Sequence, residues 1–221
     1  MKGLLIKDIK LLKNQKSFLY ILAIIAIIFS FSPGEGPSFA VGYFTFISGF
    51  LALSTISYDD LDHGFSFLFT LPVSRKIYIQ EKYILGAGFS FLIWLVFTTL
   101  YFALSLQRNS LLNITEFWLS HIILYILLLL ILSIFIPVHL KFGNERARVA
   151  LMIFFGLVFA SSFVISSVSS KEELNASFNQ FINSFSSLMF PALIMILFLV
   201  SAAVLCISAI ISTHIMNHKE L

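Results

Sequence analysis

Few residues of this chain are of types that do chemistry. His214 and His218 stand four apart at the end of the last hydrophobic run, a spacing that puts both imidazoles on one helix face and suits a shared metal ion. The commoner meaning of such a pair is two polar side chains at a water-exposed helix end. His63, His121 and His139 fall at the edges of hydrophobic runs and read as interfacial residues. Cys206 is the single cysteine, so it forms no intrachain disulfide, and its place deep in an apolar run suits packing better than reactivity. Hydrolytic or metal-assisted catalysis needs a nucleophile, base or ligand set at fixed spacing. The sequence holds no Gly-x-Ser-x-Gly, no His-Glu-x-x-His, no paired carboxylates within a hydrophobic run and no Cys-x-x-Cys. It also lacks Gly-x-x-x-x-Gly-Lys-[Ser/Thr], the loop that cradles nucleotide phosphates. No catalytic residue, metal or other cofactor is therefore expected on this chain, and energy for uphill work has to come from another subunit.

The elements around these residues are hydrophobic. The chain has 221 residues, of which 59% are hydrophobic and only 11% charged, including 26 phenylalanines, and its mean hydropathy is +0.98. No soluble domain of this length hides so much apolar surface, so the chain is an integral membrane protein. Six apolar runs stand out: 17–32, 38–57, 83–106, 117–138, 149–170 and 188–213. All but the first reach about 20 residues, the length that crosses a bilayer as a helix. Continuous runs without apolar/polar alternation exclude a β-barrel. The expected fold class is an all-α membrane protein with six transmembrane helices in the domain 17–213. The middles of these runs carry no Asp, Glu, Lys or Arg, which argues against an ion-coupled pump or voltage sensor.

Charge sets the orientation. Lys2, Lys7, Lys10, Lys13 and Lys16 precede the first run; Arg75, Lys76 and Lys82 follow the second; Lys141, Arg146 and Arg148 follow the fourth; Lys219 closes the tail 214–221. With six crossings these cations share one side, and only Arg108 and Lys171 face the other. The positive-inside rule then makes both termini cytoplasmic. A cleavable signal peptide is the competing reading of the first 32 residues, but no small-x-small site precedes Pro33. Within 1–16, Leu4, Leu5, Ile9, Leu11 and Leu12 form a broad helical face opposite Lys7 and Lys10, as in a helix lying along the inner leaflet. A basic anchor that only fixes topology is the alternative.

The cytoplasmic stretch 58–82 is the most organised of the connections. Asp59 has the character of an N-cap, and Asp62 lies three positions on, as in a capping box. Leu61, Phe65, Leu68 and Phe69 then fall at i, i+4, i+7 and i+8, predicting a short amphipathic helix with Phe67 off its stripe. Pro72 ends that helix, and Ser74 is placed to cap a new one leading into the membrane. Arg75 and Lys76 occupy the first turn of the new helix, where the macrodipole disfavours cations by a few tenths of a kcal/mol. Either topology or an acidic partner surface has to favour them. On the outer side, Phe178, Phe181, Ile182 and Phe185 predict an interfacial helix before the sixth run, and Asn113 and Asn175 head glycosylation-type triplets of low specificity.

Polarity inside the membrane is weak. Gly156 and Ala160 form a small-xxx-small pair, while Ser162, Ser166 and Ser169 follow one face of the fifth run. Ser201 and Ser208, with Ala202 and Ala209, recur at seven in the sixth. Such faces serve helix contact or, alternatively, line a pathway for an amphipathic substrate.

The order of these features resembles the membrane subunit of a type-2 ABC exporter. The specific part is the acidic pair Asp59 and Asp60, then Leu71, Pro72, Ser74 and Arg75, then Lys82 and Tyr83 entering the third run. The chain is most similar to small permeases of peptide, bacteriocin-immunity and phenol-soluble modulin exporters. Many such relatives carry a tryptophan shortly after the acidic pair, where this chain has Phe65 and Phe67. The resemblance implies a permease subunit in a bacterial cytoplasmic membrane, paired with a second permease chain, identical or homologous. It further implies a separate cytoplasmic ABC ATPase holding ATP and magnesium, and no nucleic-acid partner. Asp59, Asp60, Leu61, Phe65, Leu68, Phe69, Pro72, Ser74 and Arg75 would form the ATPase-coupling elbow. Ser162, Ser166, Ser169, Ser201 and Ser208 would line the substrate path. The alternative function is a non-transporting immunity or scaffold protein that binds a peptide or sensor partner.

Overall fold

Helices built from the apolar runs dominate the computed structural model, which describes residues 2–14, 20–22, 24–25, 28–29, 32, 36–61, 64–70, 72–107, 114–168 and 189–219. Among the described residues the helical elements are α1 (Lys2–Asn14), α2 (Gly36–Asp60), α3 (Gly64–Leu68), α4 (Arg75–Gln107), α5 (Ile114–Val168) and α6 (Met189–His218). Half of the first hydrophobic run lies outside the described residues, as do Asp62, His63, Leu71, Arg108, Asn113, Ser169 and the whole outer segment 171–188.

Among the described residues, four helical segments are long and apolar enough to cross a membrane: Gly36–Asp60, Arg75–Leu106, Phe117–Val164 and Ala192–His218. A straight helix would put Phe135 and Phe154 about 28 Å apart along the third of these, yet their ring centroids are 5.4 Å apart. The segment therefore folds back on itself. Gly143 makes the turn, with φ 75° and ψ 177°, a conformation open to little besides glycine. The run 117–138 and the described part of the run 149–170, up to Val168, lie on the two arms of this hairpin. The connection between them, expected as a loop, is helical right up to Gly143 on both sides.

Small residues let the helices approach. A Cβ built on Gly86 of α4 would meet Leu132 of α5 at 3.5 Å and Ala52 of α2 at 3.8 Å, so three helices converge there. Around this point Ile56, Ile79, Leu128, Leu132, Ile136 and Leu140 are almost wholly buried. Hydroxyls inside α2 return to their own backbone, Thr45 to Val41 O at 2.6 Å and Ser48 to Thr45 O at 2.7 Å, which removes unpaired donors from an apolar interior. Two polar ties pin α4 to the first arm of α5: Trp94 Nε1 donates to His121 O at 2.8 Å, and Tyr125 Oη to Ala87 O at 3.1 Å.

Pro137 accounts for a third tie. It has no N–H, so the Ser133 carbonyl one turn earlier loses its helical donor. Ser208 of α6 replaces that donor with its hydroxyl. Tyr83 Oη lies 2.5 Å from Ser208 Oγ and 2.8 Å from Ser212 Oγ, joining α4 to the same point. Since Ser208 gives its hydrogen to Ser133, Tyr83 is the donor to Ser208.

Candidate functional site: the charged end of the bundle

Five chain segments meet at one end of the bundle: α1, the end of α2, the start of α4, the Gly143 turn and the end of α6. Lys7 of α1 pairs with Asp59 at the end of α2, and Lys82 of α4 pairs with Asp8 of α1. Asp60 Oδ2 accepts the Asn144 backbone N–H at 3.1 Å beside the hairpin turn. Lys219, just past α6, reaches Asp60 Oδ1 at 3.5 Å. Lys7, Lys82 and Lys219, cations of three separate sequence stretches, thus share one end.

Asp59 does not cap a helix as expected. It lies in the last turn of α2, with its carboxylate buried and held by Lys7, by Lys82 at 2.8 Å and by Tyr78 Oη at 3.0 Å. Carboxylates at a helix C-terminus oppose the macrodipole, and the paired lysines offset that cost. The short helix α3 accordingly begins later, at Gly64, and spans five residues.

The apolar stripe of α3 is also used within the chain. Phe65 and Leu68 are buried, at 4% and 6% exposure, so they are not available as anchors for another protein. Phe65 meets Tyr78 edge-on at 5.8 Å, and the Lys219 ammonium sits 4.6 Å from its ring centre. Phe69 packs against the same tyrosine at 5.9 Å. Leu61 is half exposed. The side chain that projects is Phe67, 73% exposed, the residue off the predicted stripe. Sequence spacing identified a two-sided helix correctly but not which side the bundle would occupy.

Beyond exposed Pro72, α4 starts as expected, with Ser74 Oγ accepting the Ile77 N–H at 3.3 Å. Arg75 acts within the chain. Its Nη1 donates to Met216 O at 2.7 Å and Asn217 O at 2.8 Å, and its guanidinium lies 5.7 Å from the Phe69 ring centre. A cation misplaced for its own helix is well placed for the C-terminus of another. Lys76 is exposed.

The α1 face differs from expectation in one telling respect. Leu4, Asp8 and Leu12 form its buried line, while Ile9 is 58% exposed. Asp8 is fully buried among Lys7, Lys82 and Glu81. Burial works against the Lys7 ammonium, but the Asp59 and Asp8 carboxylates outweigh it and hold its pKa above the ordinary lysine value. Asp8, Thr55, Tyr78 and Glu81 were missed in the sequence. The available signal was an acid at i+4 between two leucines of one stripe, which demands a buried cation.

Other expected residues separate. Ser201 and Ser208 are buried and committed, Ser201 to Phe198 O at 2.8 Å and Ser208 to Ser133 O, so they do not line an open path. Ser162 is exposed on the second arm of α5; Ser166 is helical there. Gly156 has no side chain near it, leaving its small-residue face open within the subunit. His121 and His139 are buried instead of interfacial. His218 Nδ1 bonds the His214 carbonyl at 3.0 Å. Cys206 is exposed on the bundle surface, not packed inside it. An apolar groove of about 880 Å³ opens between α2 and both hairpin arms, lined by Phe39, Tyr43, Phe46, Leu127, Phe154 and Phe155 among others.

Residues 3–217, nearly the whole chain, match the family model described as "ABC-2 family transporter protein". The chain belongs to the ABC-2 family. No curated protein and no solved structure matches it. ABC-2 membership makes the chain a membrane permease and implies an ABC ATPase partner. For this ABC-2 protein the charged end, where α2, α3 and α4 turn, presents an exposed aromatic, Phe67, on an elbow packed against the bundle.

Proposed function

We propose that this ABC-2 protein is the non-catalytic transmembrane subunit of an ATP-driven exporter that moves an amphipathic or hydrophobic substrate, of the peptide class, out across a bacterial cytoplasmic membrane. The observation that supports this reading most is the elbow formed by α3 and the start of α4. Phe67 stands out from it at 73% exposure, while Phe65, Leu68 and Phe69 bind it to the bundle. A protruding aromatic on a braced support is what a docking anchor requires.

In this reading Phe67, with Leu61, enters a groove of a separate ATPase that holds ATP and magnesium. Asp59, Asp60, Pro72, Ser74 and Arg75 keep the elbow rigid, so that ATPase movement turns α4 as a body. Both termini face the cytoplasm, in keeping with the cations gathered at that end. A second permease chain, identical or homologous, packs at the open Gly156 and Ala160 face. The substrate's apolar part suits the groove between α2 and the α5 hairpin better than the serine faces, because two of those serines are already bonded inside the subunit.

The test is reconstitution. Inside-out vesicles holding this chain and the ABC ATPase that co-purifies with it should accumulate a labelled hydrophobic peptide on ATP addition, and vesicles with either subunit alone should not. ATP hydrolysis by this chain alone, or no stimulation of peptide uptake by the pair, would overturn the reading.

A further inference from the structure

The ion cluster that joins α1, α2 and α4 is one proton short of balance. Its members are the ammoniums of Lys7 and Lys82 and the carboxyls of Asp8, Asp59 and Glu81. Asp8 and Glu81 are fully buried and Lys82 nearly so. With every group ionised, three negative charges would face two positive ones, and water reaches the cluster only at the one-third-exposed Lys7; an uncompensated buried charge at Glu81 is costly.

The donors identify which carboxyl is in excess. Three oxygens already engage Lys82 Nζ: it donates to Asp8 Oδ2 and to Thr55 Oγ1 at 3.0 Å and forms an ion pair with Asp59 Oδ2 at 2.8 Å. Tyr78 Oη gives its hydrogen to Asp59 Oδ2 at 3.0 Å. Glu81 Oε2 is 3.8 Å from Lys82 Nζ, outside hydrogen-bond range, and neither Glu81 oxygen has a partner among the described residues. Asp8 Oδ1 lies 3.2 Å from Lys7 Nζ without forming a hydrogen bond, so it is open to a donor. The Asp8 and Glu81 carboxyls flank the same ammonium, Asp8 Oδ2 bonded to Lys82 Nζ and Glu81 Oε2 3.8 Å from it, which makes them neighbours in the cluster.

We propose that Glu81 holds a proton in the folded protein and donates it to Asp8, making the pair a proton-binding site that fastens α1 to the start of α4. The added O–H neutralises the cluster and supplies the missing donor. Lys7 and Asp8 face Glu81 from α1, Asp59 from the end of α2, and Tyr78 and Lys82 from its own helix. A detached Glu81 would release the proton near the ordinary glutamate value of about 4.3, so the attached form binds more protons and rising pH favours detachment. Loss of the proton leaves two adjacent carboxylates that repel, and α1 loosens from the elbow.

The full-length protein in lipid nanodiscs provides the test, read by the infrared carbonyl stretch of a protonated carboxylic acid. The parent should show this band at neutral pH and lose it reversibly by about pH 9. Glu81→Gln should abolish it. Asp8→Asn should abolish it too, because removing one negative charge lets Glu81 ionise against the two lysines. In a Cys206→Ala background, thiol labelling of Leu12→Cys relative to exposed Ile9→Cys should rise several-fold over the same pH range, and stay flat when Glu81→Gln is added. Absence of the band at neutral pH, its survival in Glu81→Gln, or a flat labelling ratio in the parent would overturn the proposal.

Discussion

Arg75 at the start of α4 caps the end of α6: its Nη1 donates to Met216 O at 2.7 Å and to Asn217 O at 2.8 Å. The cation thus offsets the negative end of one helix from the positive end of its neighbour. Arg75→Ala should lower stability in detergent by about 1.5–3 kcal/mol, the range for a charged hydrogen bond. Arg75→Lys should recover only part of it, since one short ammonium serves two carbonyls less well than a planar guanidinium. An apparent Tm series on the three proteins checks both.

Ser208 and Pro137 should show coupled energetics. With Pro137 present, Ser208→Ala orphans the Ser133 carbonyl and should cost about 1–3 kcal/mol. With Pro137→Ala the helical N–H returns to that carbonyl, and the cost of Ser208→Ala should shrink. A double-mutant cycle by thermal or denaturant unfolding reads the difference directly. Additive costs would show that the hydroxyl does not stand in for the missing N–H.

Gly143→Ala should destabilise the hairpin by about 1–3 kcal/mol, because its backbone region is nearly closed to other residues. The new Cβ would also come within 3.1 Å of Asp60 Oδ2, which anchors the turn. Protease accessibility of the turn in native membranes, compared with the parent, should rise. An unchanged pattern would mean that the turn tolerates a side chain.

How much of this was legible in the sequence depends on the range of the interaction. Length and hydropathy located the apolar helices from 36 onward, and Ser74 was found as a cap because its partner is three residues away. Gly143 was passed over inside a basic loop, since a positive φ flanked by helix on both sides leaves no compositional trace. The direction of the α3 stripe depended on Tyr78 and Lys219, and the role of Arg75 depended on Met216, 141 residues on. Asp8 was missed although its signal is local: an acid between Leu4 and Leu12 on one stripe calls for a partner, and the fold supplies Lys82.

The proposed orientation puts the shared charged end in the cytoplasm. In a Cys206→Ala background, single cysteines replacing exposed Phe67 or Lys76 should resist an impermeant thiol reagent in intact cells and react once the cells are opened. One at Asn109 should react in intact cells. Labelling of Phe67→Cys in intact cells would reverse the orientation.

In the proposed assembly a separate ATPase grips the elbow at Phe67. The most direct measurement is the amount of ATPase retained when Phe67→Ala and Phe65→Ala are each purified beside the parent, together with the apparent Tm of the permease. Phe67→Ala should lose most of the ATPase, as truncation of an anchor typically costs about 2 kcal/mol or more, while keeping the parental Tm. Phe65→Ala should instead lower the Tm by destabilising the core, at about 3–5 kcal/mol. Full retention of the ATPase by Phe67→Ala, with coupled transport intact, would contradict the account.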